Sequence, residues 1–171
     1  NLNSGAVWSQ IGNLTLTARG SGSSTLNVNA GSNMTYSGTN TVKLNSAGGS
    51  SGTGSLNIAG TGLFTTGAGF ENLTTNSAGS GVSRVRLTNG GTLRLSADVA
   101  NLTTETRFDL STGGGVIDTN GFSTTLSGVT TVGSNTNAVG ITGAGSLTKT
   151  GGGTLLSLIH ISEPTRPRLS S

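Results

Sequence analysis

Apolar and polar residues alternate along this chain in short strings: Leu14-Thr15-Leu16, Leu26-Asn27-Val28, Val42-Lys43-Leu44, Leu56-Asn57-Ile58, Val85-Arg86-Leu87 and Leu93-Arg94-Leu95. A period of two puts the apolar members on one face of a strand and the polar members on the other. Gly-, Ser- and Asn-rich stretches such as 47–54 and 77–81 separate the strings and read as turns. Helical spacing, with apolar residues at i, i+3, i+4 and i+7, is sustained nowhere. The nearest approach to it, 97–105, is weakened by Val, Asn and Thr.

Three strings share a local form: Ser24 to Val28, Gly54 to Ile58 and Gly91 to Leu95. Their leucines, Leu26, Leu56 and Leu93, recur at a loose interval. The pattern predicts copies stacked at strand spacing, about 4.8 Å per coil. The leucines would point inward, with Asn and Thr outside or in polar ladders. At roughly 20–30 residues per coil, residues 1–155 make about five to seven coils. The expected fold is all-β, a right-handed parallel β-helix (β-solenoid) truncated at both ends, since the chain opens on Asn1 without a Met or signal peptide.

Composition supports a repeat over a globular core. Charged residues are 9% of the chain, against roughly 25% in an ordinary domain. Aromatic residues are 4%, which predicts a core without large aromatic anchors. A solenoid tolerates this, because each coil buries only a narrow row of side chains against its neighbours. The Gly/Ser-rich composition also fits a disordered low-complexity spacer. The net charge of +3 is too small for charge-driven disorder, and the ordered alternation favours strands.

Residues 156–166, Leu-Ser-Leu-Ile-His-Ile-Ser-Glu-Pro-Thr-Arg, resemble the translation of a transposase sequencing adapter. Residues 156–171 therefore read as a non-native, disordered tail on a fragment assembled from metagenomic DNA. That tail holds His160, the only histidine, and both prolines, Pro164 and Pro167.

Chemistry-bearing residues are sparse in what remains. The acids of 1–155 are Glu71, Asp98, Glu105, Asp109 and Asp118, with no two at i, i+2. Glycoside hydrolysis needs two carboxyls about 5–10 Å apart. Asp109 and Asp118, flanking Gly113 to Gly115, come nearest to such a pair. We therefore expect no enzyme, no cofactor and no metal site. Few aromatics and little net charge argue against nucleic acid as a partner. Arg84 and Arg86 share a strand face, and with Arg94 they suggest a basic stripe for acidic glycans.

The richest stretch is 110–155. Asp118-Thr119-Asn120-Gly121-Phe122 and Thr125-Leu126-Ser127-Gly128 precede Gly143-Ala144-Gly145-Ser146-Leu147-Thr148-Lys149-Thr150-Gly151-Gly152-Gly153-Thr154-Leu155. This resembles the autotransporter-associated β-strand repeat, or passenger-associated transport repeat, whose run is Gly-x-Gly-x-Leu-Thr-Lys-x-Gly-x-Gly-Thr-Leu. Gly143, Gly145, Leu147, Lys149, Gly151, Gly153 and Leu155 carry the match. The glycines would permit tight corners. Leu147 and Leu155 would point inward, and Lys149 outward, discouraging lateral pairing.

The resemblance implies a structural or adhesive passenger segment of a secreted bacterial surface protein, extracellular, at the outer membrane of a Gram-negative cell. Host or surface glycans and proteins would be its partners. A C-terminal β-barrel translocator belongs to the full-length protein, and no transmembrane segment is expected in this fragment. The absence of Cys agrees with a passenger that crosses the periplasm unfolded. The alternatives are a carbohydrate-active or glycan-binding β-helix whose site was lost by truncation, and the disordered spacer.

Overall fold

A computed structural model describes residues 1–18, 21–44, 52–72, 82–104, 106–126 and 140–157. Among them the chain is all strand and turn, without a helix, and forms three parallel sheets. The first contains β1 (Val7–Gln10), β4 (Asn33–Tyr36), β7 (Leu63–Thr66), β10 (Gly91–Leu95), β13 (Gly115–Asp118) and β16 (Leu147–Thr150). The second contains β2 (Thr15–Leu16), β5 (Val42–Leu44), β8 (Phe70–Asn72), β11 (Val99–Thr104), β14 (Thr124–Leu126) and β17 (Leu155–Ser157). The third contains β3 (Ser23–Val28), β6 (Thr53–Ala59), β9 (Val82–Thr88), β12 (Arg107–Leu110) and β15 (Ile141–Thr142). Every third strand returns to the same sheet one rung later, which makes a stacked-coil β-solenoid. The spacer alternative falls.

The six alternating strings lie on strands, with Leu14 just ahead of β2, and their apolar members point inward. In the third sheet, Leu26, Leu56, Val85, Phe108 and Ile141 form one inner column, and Val28, Ile58, Leu87 and Leu110 another. In the first sheet the central inner column runs Trp8, Met34, Phe64, Leu93, Ile117 and Lys149. Two expectations change here. Leu93 stacks on Phe64 in the first sheet, not on Leu56 in the third, so the third copy of the Leu-centred string belongs to another ladder. Lys149 is not on the outer face. Period two puts it on the face of Leu147, in register with buried Ile117. It is nevertheless exposed, because no described strand pairs beyond β16, and its Nζ donates to the Gly151 carbonyl at 2.9 Å.

Aromatic side chains, though few, do organise the interior. Phe64, Phe70, Phe108 and Tyr36 are among the largest fully buried side chains, and Phe122 packs against the same cluster. Phe64 and Phe70 meet at a centroid distance of 6.0 Å and an angle of 44°, within the range of favourable tilted pairs. Scarcity is misleading because a solenoid has a small cross-section, which a few rings suffice to fill.

Two buried hydroxyls are satisfied by nearby backbone, whereas buried Thr124 Oγ1 has no hydrogen-bond partner. Thr66 Oγ1 donates to the Ala68 carbonyl at 2.9 Å, and Ser83 Oγ donates to the Leu44 carbonyl across sheets at 2.9 Å. β11, the segment with the weak helical pattern, is a bulged strand. Its register slips between Val99 and Thr103, and adjacent Leu102 and Thr103 are both buried.

Coil length varies: Asn27 and Asn57 stack 30 residues apart, Arg86 and Asp109 only 23. Connections from the third sheet to the first are short, as at 60–62, 89–90 and 111–114. Those from the first sheet to the second are short as well. The uneven connections, 45–52, 73–81, 105–106 and 127–140, all run from the second sheet to the third.

Candidate functional site

Interior positions are occupied by packing, so recognition has to come from the outer faces and corners. On the third sheet, two outer columns run side by side. One is Thr25, Ser55, Arg84 and Arg107; the other is Asn27, Asn57, Arg86, Asp109 and Thr142. The second begins as an amide ladder. Asn57 Nδ2 donates to Asn27 Oδ1 at 2.8 Å, and Asn27 Nδ2 donates to Asn1 Oδ1. This is the polar ladder expected of stacked asparagines. It then turns ionic, with Arg86 Nη2 and Nε both donating to Asp109 Oδ2, at 2.8 and 3.0 Å.

Arg84 and Arg86 thus share a face, as their spacing predicts. Arg94 does not join them. It projects from the first sheet, where its Nε donates to Asp118 Oδ2 at 2.7 Å. The expected three-arginine stripe is corrected to Arg84, Arg86 and Arg107. Arg107 was not singled out from the sequence, although a signal existed. Arg84-Val85-Arg86-Leu87 and Arg107-Phe108-Asp109-Leu110 repeat one form at the coil offset that also separates Arg86 from Asp109.

The acids are dispersed. Asp109 and Asp118 stand on different sheets, each holding an arginine. Asp118 Oδ1 also accepts from the Asn120 amide, Asp98 Oδ1 accepts from the Ser123 amide, and Glu71 Oε2 accepts from Thr41 Oγ1. No group of three or more metal-ligating side chains occurs among the described residues. Glu105 and His160 lie outside the described residues. A shallow groove on the first sheet, lined by Asn33, Leu63, Asn89, Thr92 and Arg94, is wide open to solvent.

The motif corner is more specific. Thr119 is fully buried, and its Oγ1 shares its one proton between the carbonyls of Thr150 and Gly152 on the next coil. The Gly121 and Thr124 amides donate to the Gly152 and Thr154 carbonyls. The 118–124 phrase therefore lies directly beneath the 150–154 phrase. A Cβ at Gly143, Gly145 or Gly153 would overlap the carbonyl oxygen of Leu110, Ser111 or Phe122, respectively. At Gly151 it would meet the Asn120 amide and the Asp118 carboxylate. Gly152 is different: its Cβ would meet only Gly121 Cα, at 3.8 Å. Gly143, Gly151 and Gly153 have positive φ, whereas Gly145 needs only the close approach. Leu147 and Leu155 pack inward against the core, as expected. Leu156 and Ser157 extend β17 into the segment read as a tail, pairing with Thr125 and Leu126; the remainder lies outside the described residues.

The chain matches no family model, no curated protein and no solved structure. No helix among the described residues is long and apolar enough to cross a membrane.

Proposed function

We propose that this chain is a structural and adhesive segment of a secreted bacterial surface protein of the autotransporter-passenger type. One observation carries the reading. In the repeat pattern that residues 143–155 resemble, four glycine positions are fixed and the residue between the last two is free. Here those four positions are the ones where the preceding coil leaves no room for a Cβ, and the free position, Gly152, has room. This supports the reading, because a rung with glycine at those positions can sit tightly on the rung before it. Residues 118–124, which include the Asp118 to Phe122 string, supply that preceding rung.

Such a rod performs its task by shape. Each rung is held by parallel backbone ladders and a short row of inner side chains, so coils add one after another. A chain exported in extended form can fold this way as it emerges, without disulfides and without long-range rearrangement. The outer faces remain available for contact.

The reading is tested by placing the full chain between a signal peptide and an outer-membrane barrel in a Gram-negative host. The expected result is a surface-exposed passenger that resists limited proteolysis and makes cells adhere or clump. Retention in the periplasm, or display of a chain that protease removes at once, would overturn it.

A further inference from the structure

The outer face of the first sheet carries two ranks of side chains along the rod. One rank runs Val7, Asn33, Leu63, Thr92, Val116 and Thr148, in unbroken register. Apolar and polar residues therefore alternate from rung to rung. The rank beside it, Ser9, Thr35, Thr65, Arg94, Asp118 and Thr150, is wholly polar. All of these residues are exposed or half-buried. Arg94 and Asp118, the charged members, are paired with each other, so the face is neutral as a whole. The other two sheets differ: the bulge in β11 interrupts the second, and the third turns ionic at Arg86 and Asp109.

Rungs stack at about 4.8 Å, so the alternation repeats about every 9.6 Å along the rod. An extended peptide alternates over about 6.8 Å and would fall out of step with it. Two successive sugars of an extended β-1,4-linked chain cover nearly the length of two rungs. Alternate rings of such a chain are flipped, so its own pattern also repeats every second sugar. Each ring presents an apolar C–H face and an edge of hydroxyls. Around Leu63 the sheet face deepens into an open groove of about 470 Å³, lined by Asn33, Thr61, Leu63, Asn89, Thr92 and Arg94. Ligand sites range over roughly 300–1,000 Å³ and combine apolar lining with a few placed polar groups. Here an aliphatic floor is walled by amides, hydroxyls and a guanidinium. Thr61 Oγ1 accepts from the Gly31 amide at 2.9 Å, which fixes its position and leaves its proton to donate.

We propose that this face binds a linear, neutral, β-1,4-linked polysaccharide lying along the rod, with one ring over Leu63 and the ring two further on over Val116. The ring between them sets its hydroxyls against Thr92, and the polar rank beside it takes the remaining hydrogen bonds. This names a partner class for the adhesive reading. The track itself needs only the solenoid and is tested on the purified chain, so its failure and a failure of surface display are distinguishable.

The test is calorimetric titration of the full chain with cellohexaose, chitohexaose and xylohexaose, beside α-1,6-linked isomaltohexaose and acidic hexagalacturonate. At least one β-1,4-linked neutral hexasaccharide should bind, its trisaccharide at least about tenfold more weakly, and added salt should leave the affinity unchanged. Leu63→Thr and Asn33→Val should each weaken binding at least about fivefold, whereas Thr25→Val, on the third sheet, leaves it as it is. Should Leu63→Thr lose its strand signal in circular dichroism, Val116→Thr, two rungs away on the same rank, provides a second arm with the same expected loss. Binding of none of the three hexasaccharides, or equal losses in Leu63→Thr and Thr25→Val, would overturn the site. So would unchanged affinity in a folded Leu63→Thr or Val116→Thr variant. Tighter binding of isomaltohexaose would overturn the linkage, and tighter, salt-sensitive binding of hexagalacturonate would overturn the neutral class.

Discussion

Replacing Gly153 and Gly152 in turn by alanine separates steric necessity from mere glycine richness. At Gly153, φ is +83°, a left-handed conformation that costs an L-residue about 1–2 kcal/mol. The new methyl would also overlap the Phe122 carbonyl oxygen, and the backbone shift needed to clear it costs about 1–3 kcal/mol. Together these give about 2–5 kcal/mol against a correctly seated last rung. In a solenoid this penalty falls on the local interface before it falls on the whole molecule. The bonds at risk are the Thr124 amide to Thr154 carbonyl, at 2.8 Å, and the pairing of β14 with β17. Amide hydrogen exchange across 154–157 should accelerate by at least about 30-fold, since 1.4 kcal/mol is a factor of ten. Gly152→Ala meets only an ordinary contact at 3.8 Å, and its φ is not positive. Lower unfolded-chain entropy should make it neutral or more stable, by about 0.4–1 kcal/mol. Equal acceleration in the two variants, or an unperturbed Gly153→Ala, would refute the reasoning.

Two further outcomes are expected. Tyr36, the only tyrosine, is buried, which pushes its hydroxyl pKa up from the ordinary value of 10.0, while a backbone hydrogen bond from Leu14 acts the other way. The unfolded chain then loses this proton first, so stability should be full below that value and fall as pH rises through the higher folded one; alkaline melting curves of Tyr36→Phe should lack this component, and an identical pH dependence would refute it. Val7 and Ile11, each 79% exposed, and Trp8 lie at the uncovered edge of the first rung. Lysine at Val7 and Ile11 should reduce concentration-dependent association in sedimentation velocity, because edge charges oppose strand pairing; unchanged association would place self-contact elsewhere.

Much of the fold was legible because period-two alternation is a local signal. Leu26-Asn27-Val28 and its counterparts announce both strand and face without reference to neighbours. Which strings stack is a different matter. Leu56 and Leu93 share their surroundings in sequence but stand on different sheets, since ladder membership depends on how many corners intervene. Lys149 is a simpler case: its charge suggests the outer face, whereas its parity with Leu147 puts it on the inner one. The arginine stripe was half legible. Arg84 and Arg86 are neighbours along one strand, whereas Arg107 joins them only through a coil offset that differs from the 30-residue offset of the asparagine ladder. Phe64, Phe70 and Phe108 were undervalued because composition counts rings without registering how narrow a cross-section they have to fill.

Unequal connections enter this rod along a single seam, between the second and third sheets, as the contrast between 105–106 and 127–140 illustrates. Closing a longer loop costs only about 0.6 kcal/mol per doubling of its length. A foreign peptide spliced into that seam would therefore leave every ladder in register. Grafts at the other two corners, where 89–90 and 151–154 are tightly folded, would pry neighbouring rungs apart. The molecule has, in effect, one permissive side on which new loops could be carried at intervals of a single strand spacing.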